Sequence, residues 1–109
     1  MMTEAEFLTC YRQTLVKLEN ILEEAVQSDL DIDYESSNDM LSLLFSNDSV
    51  AIISRQTAIC QLWLAARSGG FHFEFDVNKK SWICTVNDRS LQVMLMEICV
   101  EQGSIQLDF

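Results

Sequence analysis

Seven carboxylates lie between Leu18 and Glu35: Glu19, Glu23, Glu24, Asp29, Asp31, Asp33 and Glu35. No Lys, Arg or His falls among them. Carboxylates clustered without His or Cys suit hard cations, which take oxygen ligands and complete their shells with water. The spacing does not match an EF-hand loop. In Asp31-Ile32-Asp33-Tyr34-Glu35 acid and apolar residues alternate. As a strand this puts the three carboxylates on one side, about 7 Å apart between neighbours. The same pattern describes an edge strand charged against sheet-to-sheet aggregation. The residues alone leave cation binding and edge protection equally open.

Other reactive groups are sparse. His72 is the single histidine, with Glu74 near it and no nucleophile for it to serve. There is no Ser/His/Asp set, phosphate loop or dinucleotide fingerprint, so the chain reads as a protein that is not an enzyme. Cys10, Cys60, Cys84 and Cys99 form no C-x-x-C pair and fit no zinc spacing. Each stands among apolar residues, and all four are expected to be reduced, buried small hydrophobes.

The elements that must position these groups follow from length, charge and periodicity. A chain of 109 residues, 49% apolar, suits one globular domain over 1–109. A net charge of −10 argues against nucleic acid and for a cation or a basic protein surface as partner. Residues 1–35 hold nine acids and two bases, so the charge is uneven. No run approaches the ~20 apolar residues of a spanning helix, so no membrane association is expected. The opening Met1-Met2-Thr3-Glu4-Ala5-Glu6 is acidic, unlike a secretory or transit leader. The expected location is cytoplasmic and the expected state monomeric.

Phe7, Tyr11, Leu15, Leu18, Leu22 and Ala25 recur at helical steps over 3–26, and Thr3 with Glu6 fits a capping box. Glu19, Glu23 and Glu24 then fall at the helix end where the dipole disfavours acids. Strands follow at Asp31–Glu35, Met40–Phe45 and Val50–Ser54. Two more flank Ser68-Gly69-Gly70, and the last spans Trp82–Val86. Asn87 or Asp88 is expected to cap a closing helix over Arg89–Gln102, stopped by Gly103. That helix is apolar on several sides and needs wide cover, to which the tail Ile105-Gln106-Leu107 contributes by lying between the helices. Short turns imply a meander. The fold class is therefore α+β: a two-layer sandwich in which a mostly antiparallel six-stranded sheet carries the N- and C-terminal helices on one face.

The centre of the chain, Ile52 to Phe75, organises the rest. Phe71, Phe73 and Phe75 share one strand face, and His72 and Glu74 the other. Cys60, Leu62 and Leu64 lie opposite Gln61, Trp63 and Ala65 by the same period. Trp63 on the open face, with Arg55, Gln56, Gln61 and His72 around it, reads as an aromatic anchor for a protein partner. The alternative is a Trp covered by a neighbouring side chain.

The run Arg55-Gln56, Gln61-Leu62-Trp63-Leu64-Ala65, Gly69-Gly70 and then an aromatic strand resembles the centre of the frataxin family, especially its bacterial branch. The likeness extends to Asp31-Ile32-Asp33 on one side and Ser81-Trp82-Ile83-Cys84 with the closing helix on the other. Ser54 stands where the family usually has Asn, and Thr57-Ala58 lacks its usual proline. The resemblance implies the frataxin fold and names iron as the cation, held weakly at the surface carboxylates Glu19, Glu23, Glu24, Asp29, Asp31, Asp33 and Glu35. It implies contact with the cysteine desulfurase and the iron–sulfur scaffold protein through the acidic ridge and the Trp63 face. The function so implied is regulation of iron–sulfur cluster assembly by an iron sensor or donor. An acidic adaptor without physiological metal binding, and an iron store or ferroxidase, are the other readings.

Overall fold

The computed structural model describes residues 2–109. Helix α1 spans Glu4–Gln27, strands β1 to β6 span Ile32–Ser37, Met40–Phe45, Val50–Gln56, Gln61–Ala66, Gly69–Asp76 and Ser81–Cys84, and helix α2 spans Leu91–Gly103. The six strands form one sheet in the order β1-β2-β3-β4-β5-β6, each pair antiparallel. Among the described residues, no helix is long and apolar enough to cross a membrane.

Alternation decides which sheet face is covered. Leu41, Leu43 and Phe45, Ala51 and Ile53, Leu62 and Leu64, Phe73, Trp82 and Cys84 are buried together with both helices in one cluster. Their alternate neighbours, among them Ser42, Ser54, Trp63, His72 and Glu74, are not buried. Both helices therefore pack on one face and leave the other open, as the periodicity requires. The buried residues of α1 are Phe7, Tyr11, Leu15, Leu18, Leu22 and Ala25, and the Thr3–Glu6 capping box forms. Trp82 joins sheet to helix. Its ring packs edge-on to Phe7 and Phe75, and its indole N–H donates to Thr14 Oγ1 at 2.8 Å.

Several local expectations are corrected. Helix α2 starts later than a cap at Asn87 or Asp88 would set it, with Ser90 as N-cap, its hydroxyl oxygen accepting the Val93 N–H. Asn87 Oδ1 instead takes the Arg89 N–H and Asp88 turns left-handed, so these residues build a turn ahead of the helix. Strand β6 ends at Cys84, not Val86. Gly103 is the last helical residue, and Ser104 adopts the left-handed conformation beyond it. Arg67-Ser68 is the β4–β5 turn, while Gly69 sits at φ 135° where the next strand begins. Cys60 does not share the strand alternation. It is left-handed after a short 3₁₀ turn at Thr57–Ile59, and its thiol faces the Met2 carbonyl at 3.5 Å. Only Cys84 and Cys99 are fully buried; Cys10 and Cys60 are half-buried. Nor is α2 covered all round, since Val93, Met96 and Val100 stay exposed. The tail does cover the core: Ile105 is buried, and Leu107 and Phe109 pack against the central cluster.

Gln102, 4% exposed, ties the end of α2 to two hairpins. Its Oε1 accepts the Arg67 N–H at 2.8 Å, its Nε2 donates to Val50 O at 3.1 Å and Ser49 Oγ at 3.2 Å, and its carbonyl accepts from Asn47 Nδ2 at 2.7 Å. Every polar atom of that side chain is satisfied, which is the condition for burying an amide without a penalty.

Two outcomes are expected. A Cβ at Gly103 would meet the Phe45 ring at 2.5 Å, and Phe45 is buried. Gly103→Ala gains up to ~1 kcal/mol of helix propensity but overpacks the core, for a net loss of about 1–2 kcal/mol in urea unfolding; equal or greater stability would show that the ring yields freely. In thiol titration, Cys10 and Cys60 should label in the native protein and Cys84 and Cys99 only after denaturation. Burial pushes the Cys99 thiol up to about 11, which suppresses its thiolate. Four equally fast thiols would contradict this packing.

Candidate metal and partner-binding site

The acidic stretch is split by the strand that carries it. Helix α1 ends in a Schellman turn: the Asp29 N–H bonds the Val26 carbonyl at 3.1 Å and the Leu30 N–H the Ala25 carbonyl at 3.0 Å. Asp29 takes the left-handed position, at φ 60°, that glycine usually fills. No basic residue lies in the last turn, so the negative end of the helix dipole adds to Glu23, Glu24 and Asp29. Strand β1 then runs along the sheet edge. Ile32 points to the core, and Asp33 and Glu35 fall on the open side.

Glu19 and Glu23 belong to the helix side. The Tyr34 hydroxyl donates to Glu23 Oε2 at 2.7 Å, and the Ser36 hydroxyl donates to Glu19. The hydrogen bond to Glu23, then burial, hold the Tyr34 phenol above its ordinary pKa. Asp31 accepts from the Ser46 hydroxyl at 2.7 Å, and Asp33 Oδ1 accepts the Tyr34 N–H at 2.8 Å. The seven acids thus share one edge of the molecule without converging. Among the described residues, no three carboxylate, imidazole or thiol groups gather into a set that would hold a metal ion. The donors are of the kind hard cations take, and their layout offers one or two carboxylates at a time, with water for the rest of the shell.

The aromatic anchor is a pair. β4 and β5 place Trp63 opposite His72. The rings stack at 4.4 Å with 9° between their planes, and the indole N–H donates to Gln61 Oε1 at 3.0 Å. One face of the indole is therefore already occupied, which leaves the outer face of the imidazole and the indole edge. Gln56 pairs with Gln61 across β3 and β4 at the end of this patch.

Arg55 is not part of it. It shares its side of β3 with Ala51 and Ile53 and lies opposite Leu62, toward the helices. Its Nε donates to Asp39 Oδ2 at 3.2 Å, the same oxygen that Arg12 holds at 2.9 Å, and its Nη1 reaches the Thr57 hydroxyl. Asp39 carries its turn into this cluster at φ 60°, and its carbonyl accepts the Tyr11 hydroxyl at 2.5 Å. The clamp ties α1, the β1–β2 turn and β3 together. Sequence reading missed Asp39, whose only local signal is a place in a polar turn.

Three strand spacings separate β1 from β4, about 14 Å. The open-side acids and the Trp63–His72 pair are therefore two features of one broad face. Against known proteins, a frataxin-like domain model matches residues 1–104. The chain belongs to the frataxin family. An iron-sulfur cluster assembly protein CyaY of Pseudomonas fluorescens strain Pf-5 is 47% identical over 108 residues, covering 99% of this chain and 96% of the relative. A CyaY of Azotobacter vinelandii is 43% identical over the same share of both chains. A solved frataxin of Psychromonas ingrahamii superposes with a TM-score of 0.88 at 28% identity, covering 98% of this chain and 97% of that one. The family's fold, a six-stranded antiparallel sheet backed by N- and C-terminal helices, is the one built here.

The Arg12–Asp39–Arg55 clamp has a pH signature. The hydrogen bond from Arg12, with the charges of both guanidiniums, holds the Asp39 carboxyl below its usual value. The stability this contributes is present above the unfolded pKa, near ~4, and is lost as pH falls through the depressed folded value. Asp39→Asn keeps a residue that tolerates the left-handed turn. It should lower neutral-pH stability and flatten the acid limb of the stability–pH curve, measured by urea unfolding at a series of pH values. An acid limb as steep as that of the unaltered protein would remove Asp39 from the ledger.

Proposed function

We propose that this chain regulates iron–sulfur cluster assembly by docking on the cysteine desulfurase, with the scaffold protein beside it, and that iron bound at its acidic edge modulates the docking. The observation that carries this reading is the seven-carboxylate run from Glu19 to Glu35, free of any base and laid along one exposed edge. Relatives that match nearly the whole chain are named iron-sulfur cluster assembly proteins, which supports the assignment. The chain makes and breaks no bond in this role. It acts in the cytoplasm as a monomer, its net charge of −10 opposing self-association.

Iron is cargo or signal at this edge. Asp33 and Glu35 hold it on the open side, Glu24, Asp29 and Asp31 extend the ridge, and Glu19 and Glu23 join by releasing Ser36 and Tyr34. Each bound cation neutralises carboxylates that would otherwise pair with basic groups of the desulfurase. Metal therefore changes both the strength and the seating of the complex. Trp63 and His72, with Gln56 and Gln61, supply short-range packing on the same face. Arg55 contributes from the other side of β3 by fixing the β1–β2 turn through Asp39. A second reading, an adaptor whose carboxylates bind no metal in the cell, is favoured by the lack of convergence among the acids.

Asp31→Asn, Asp33→Asn and Glu35→Gln together should weaken Fe²⁺ binding and leave stability equal or higher, because like charges are removed. Metal-induced NMR changes unaltered by the triple substitution would defeat the ridge as the iron site. Against purified desulfurase in surface-plasmon kinetics, the same variant should associate more slowly and with weaker salt dependence. Trp63→Ala should mainly speed dissociation, by about 2 kcal/mol for a central anchor. Partner binding lost in the triple variant with no effect of metal on the unaltered protein would select the adaptor. Binding unaffected by either change at low and high salt would exclude this face as the interface.

A further inference from the structure

We propose that His72 is a proton-operated switch on the Trp63 anchor: with the imidazole neutral the open face docks on its basic partner, and with the imidazole charged that docking weakens. The proposal rests on the docking role above and adds its regulation. His72 is the single histidine of the chain, and histidine is the side chain that ordinarily changes charge between about pH 5 and 8. Carboxylates ordinarily titrate near ~4, so an acidic edge stays ionised through that range.

Geometry couples the proton to the anchor. Trp63 and His72 stand opposite each other on β4 and β5, with ring centroids 4.4 Å apart and 9° between their planes. The indole is held in place, its N–H donating to Gln61 Oε1 at 3.0 Å. The His72 backbone is held as well, its carbonyl accepting the Thr85 N–H at 2.9 Å. The imidazole itself is exposed and keeps its freedom to rotate. A proton does two things to this pair. It turns a neutral stack into a cation–π contact, which keeps the imidazole over the indole face. It also puts a positive charge on the outer ring face, the surface that a docking partner touches. A neutral imidazole can instead swing aside and yield the indole.

The surrounding charges do not cancel this effect. Glu74 and Asp76 share the His72 side of β5, and Glu74 stands about 7 Å along the strand. Asp88, in the turn before α2, lines one concavity with both of them and Thr85. Glu4 lines a second with Glu74 and Gln61. Trp63 and Gln61 of β4 and Ile83 of β6 are uncharged neighbours. Among the described residues, no carboxylate forms an ion pair with the imidazole. The acids of β1 lie four strand spacings away, about 19 Å, which is more than two screening lengths of ~8 Å at physiological ionic strength. Protonated His72 therefore offsets Glu74 and makes the Trp63 patch less attractive to a basic surface, while the distant edge is unchanged.

The test has two arms, both on the full chain at constant ionic strength. Tryptophan emission is followed from pH 7.5 to pH 5.5. Trp63 should report one transition, because a charge appears on its ring, whereas buried Trp82 should not. His72→Phe keeps an aromatic ring on the indole without a titrating group, at an exposed position outside the core, and should abolish the transition. In surface-plasmon kinetics against purified desulfurase, the unaltered protein should lose about three- to fivefold more affinity between pH 7.5 and pH 6 than His72→Phe does, the size of one partly screened charge contact. Titrations of the desulfurase itself are common to both proteins and cancel in that ratio. Emission flat with pH, or a transition that survives in His72→Phe, would overturn the switch. Equal losses of affinity in the two proteins would overturn its coupling to docking. No binding at either pH, with the emission transition present, would instead defeat the docking role on which the coupling rests.

Discussion

One-sided burial of the sheet governs this molecule. Six strands alternate, and a single face takes nearly all the large apolar side chains, from Leu41 to Trp82. A shift of one residue in any strand would turn its core set to water, so the register is strongly held. Two helices are needed to close that face, and α1 and α2 meet it with Phe7, Tyr11 and Leu22 and with Leu91, Leu95 and Ile98. The other face is then free for polar and aromatic groups, and this is where Trp63 and His72 stand. The open face is in this sense a by-product of how the core is made.

Because the core is apolar, the few polar groups drawn into it must be satisfied where they lie. Gln102 does this for the end of α2, taking donors and acceptors from two hairpin turns. Trp82 does it through Thr14, which passes the bond on to the Cys10 carbonyl. Tyr11 does it through the Asp39 carbonyl. Burial pushes the Tyr11 phenol well above its ordinary pKa, with the Asp39 charge adding to the effect. These bonds join segments far apart in sequence. They fix the angle at which helices and hairpins meet, which hydrophobic contact alone, being non-directional, leaves loose.

Charge is arranged with equal economy of place. The acids that oppose the helix dipole, Glu23, Glu24 and Asp29, sit beside an edge strand whose alternate residues are also acidic. An edge so charged resists pairing with a second sheet. It also concentrates negative potential where a cation or a basic surface approaches freely. Protection of the edge and the proposed recruitment of a partner use the same residues. Arg12 and Arg55 leave this edge uncompensated, since both are committed to Asp39.

Much of this was legible in the residues. The six core positions of α1, its capping box, the meander order and the assignment of Phe73 inward and His72 outward all follow from periods of 3.6 and 2, which are local properties of the chain. The acidic run was visible for the same reason, since its members are neighbours in sequence. What the residues could not reveal depends on distance in space. Arg55 and Trp63 look adjacent on a strand pair, but strand parity together with the Asp39 turn sends Arg55 to the helix side. Trp63 looks like a bare anchor until cross-strand register lays His72 on it. The four cysteines look alike, but the left-handed turn at Cys60 and the position of Cys10 on the flank of α1 leave both half-exposed. Ser90 displaces Asn87 and Asp88 as the cap because those two are consumed by a turn that only the β6 hydrogen bonds define. Sequence periodicity determined which residues are inside. Tertiary structure decided which of the outside residues meet, because that depends on register, turn geometry and the partners each charged group finds first.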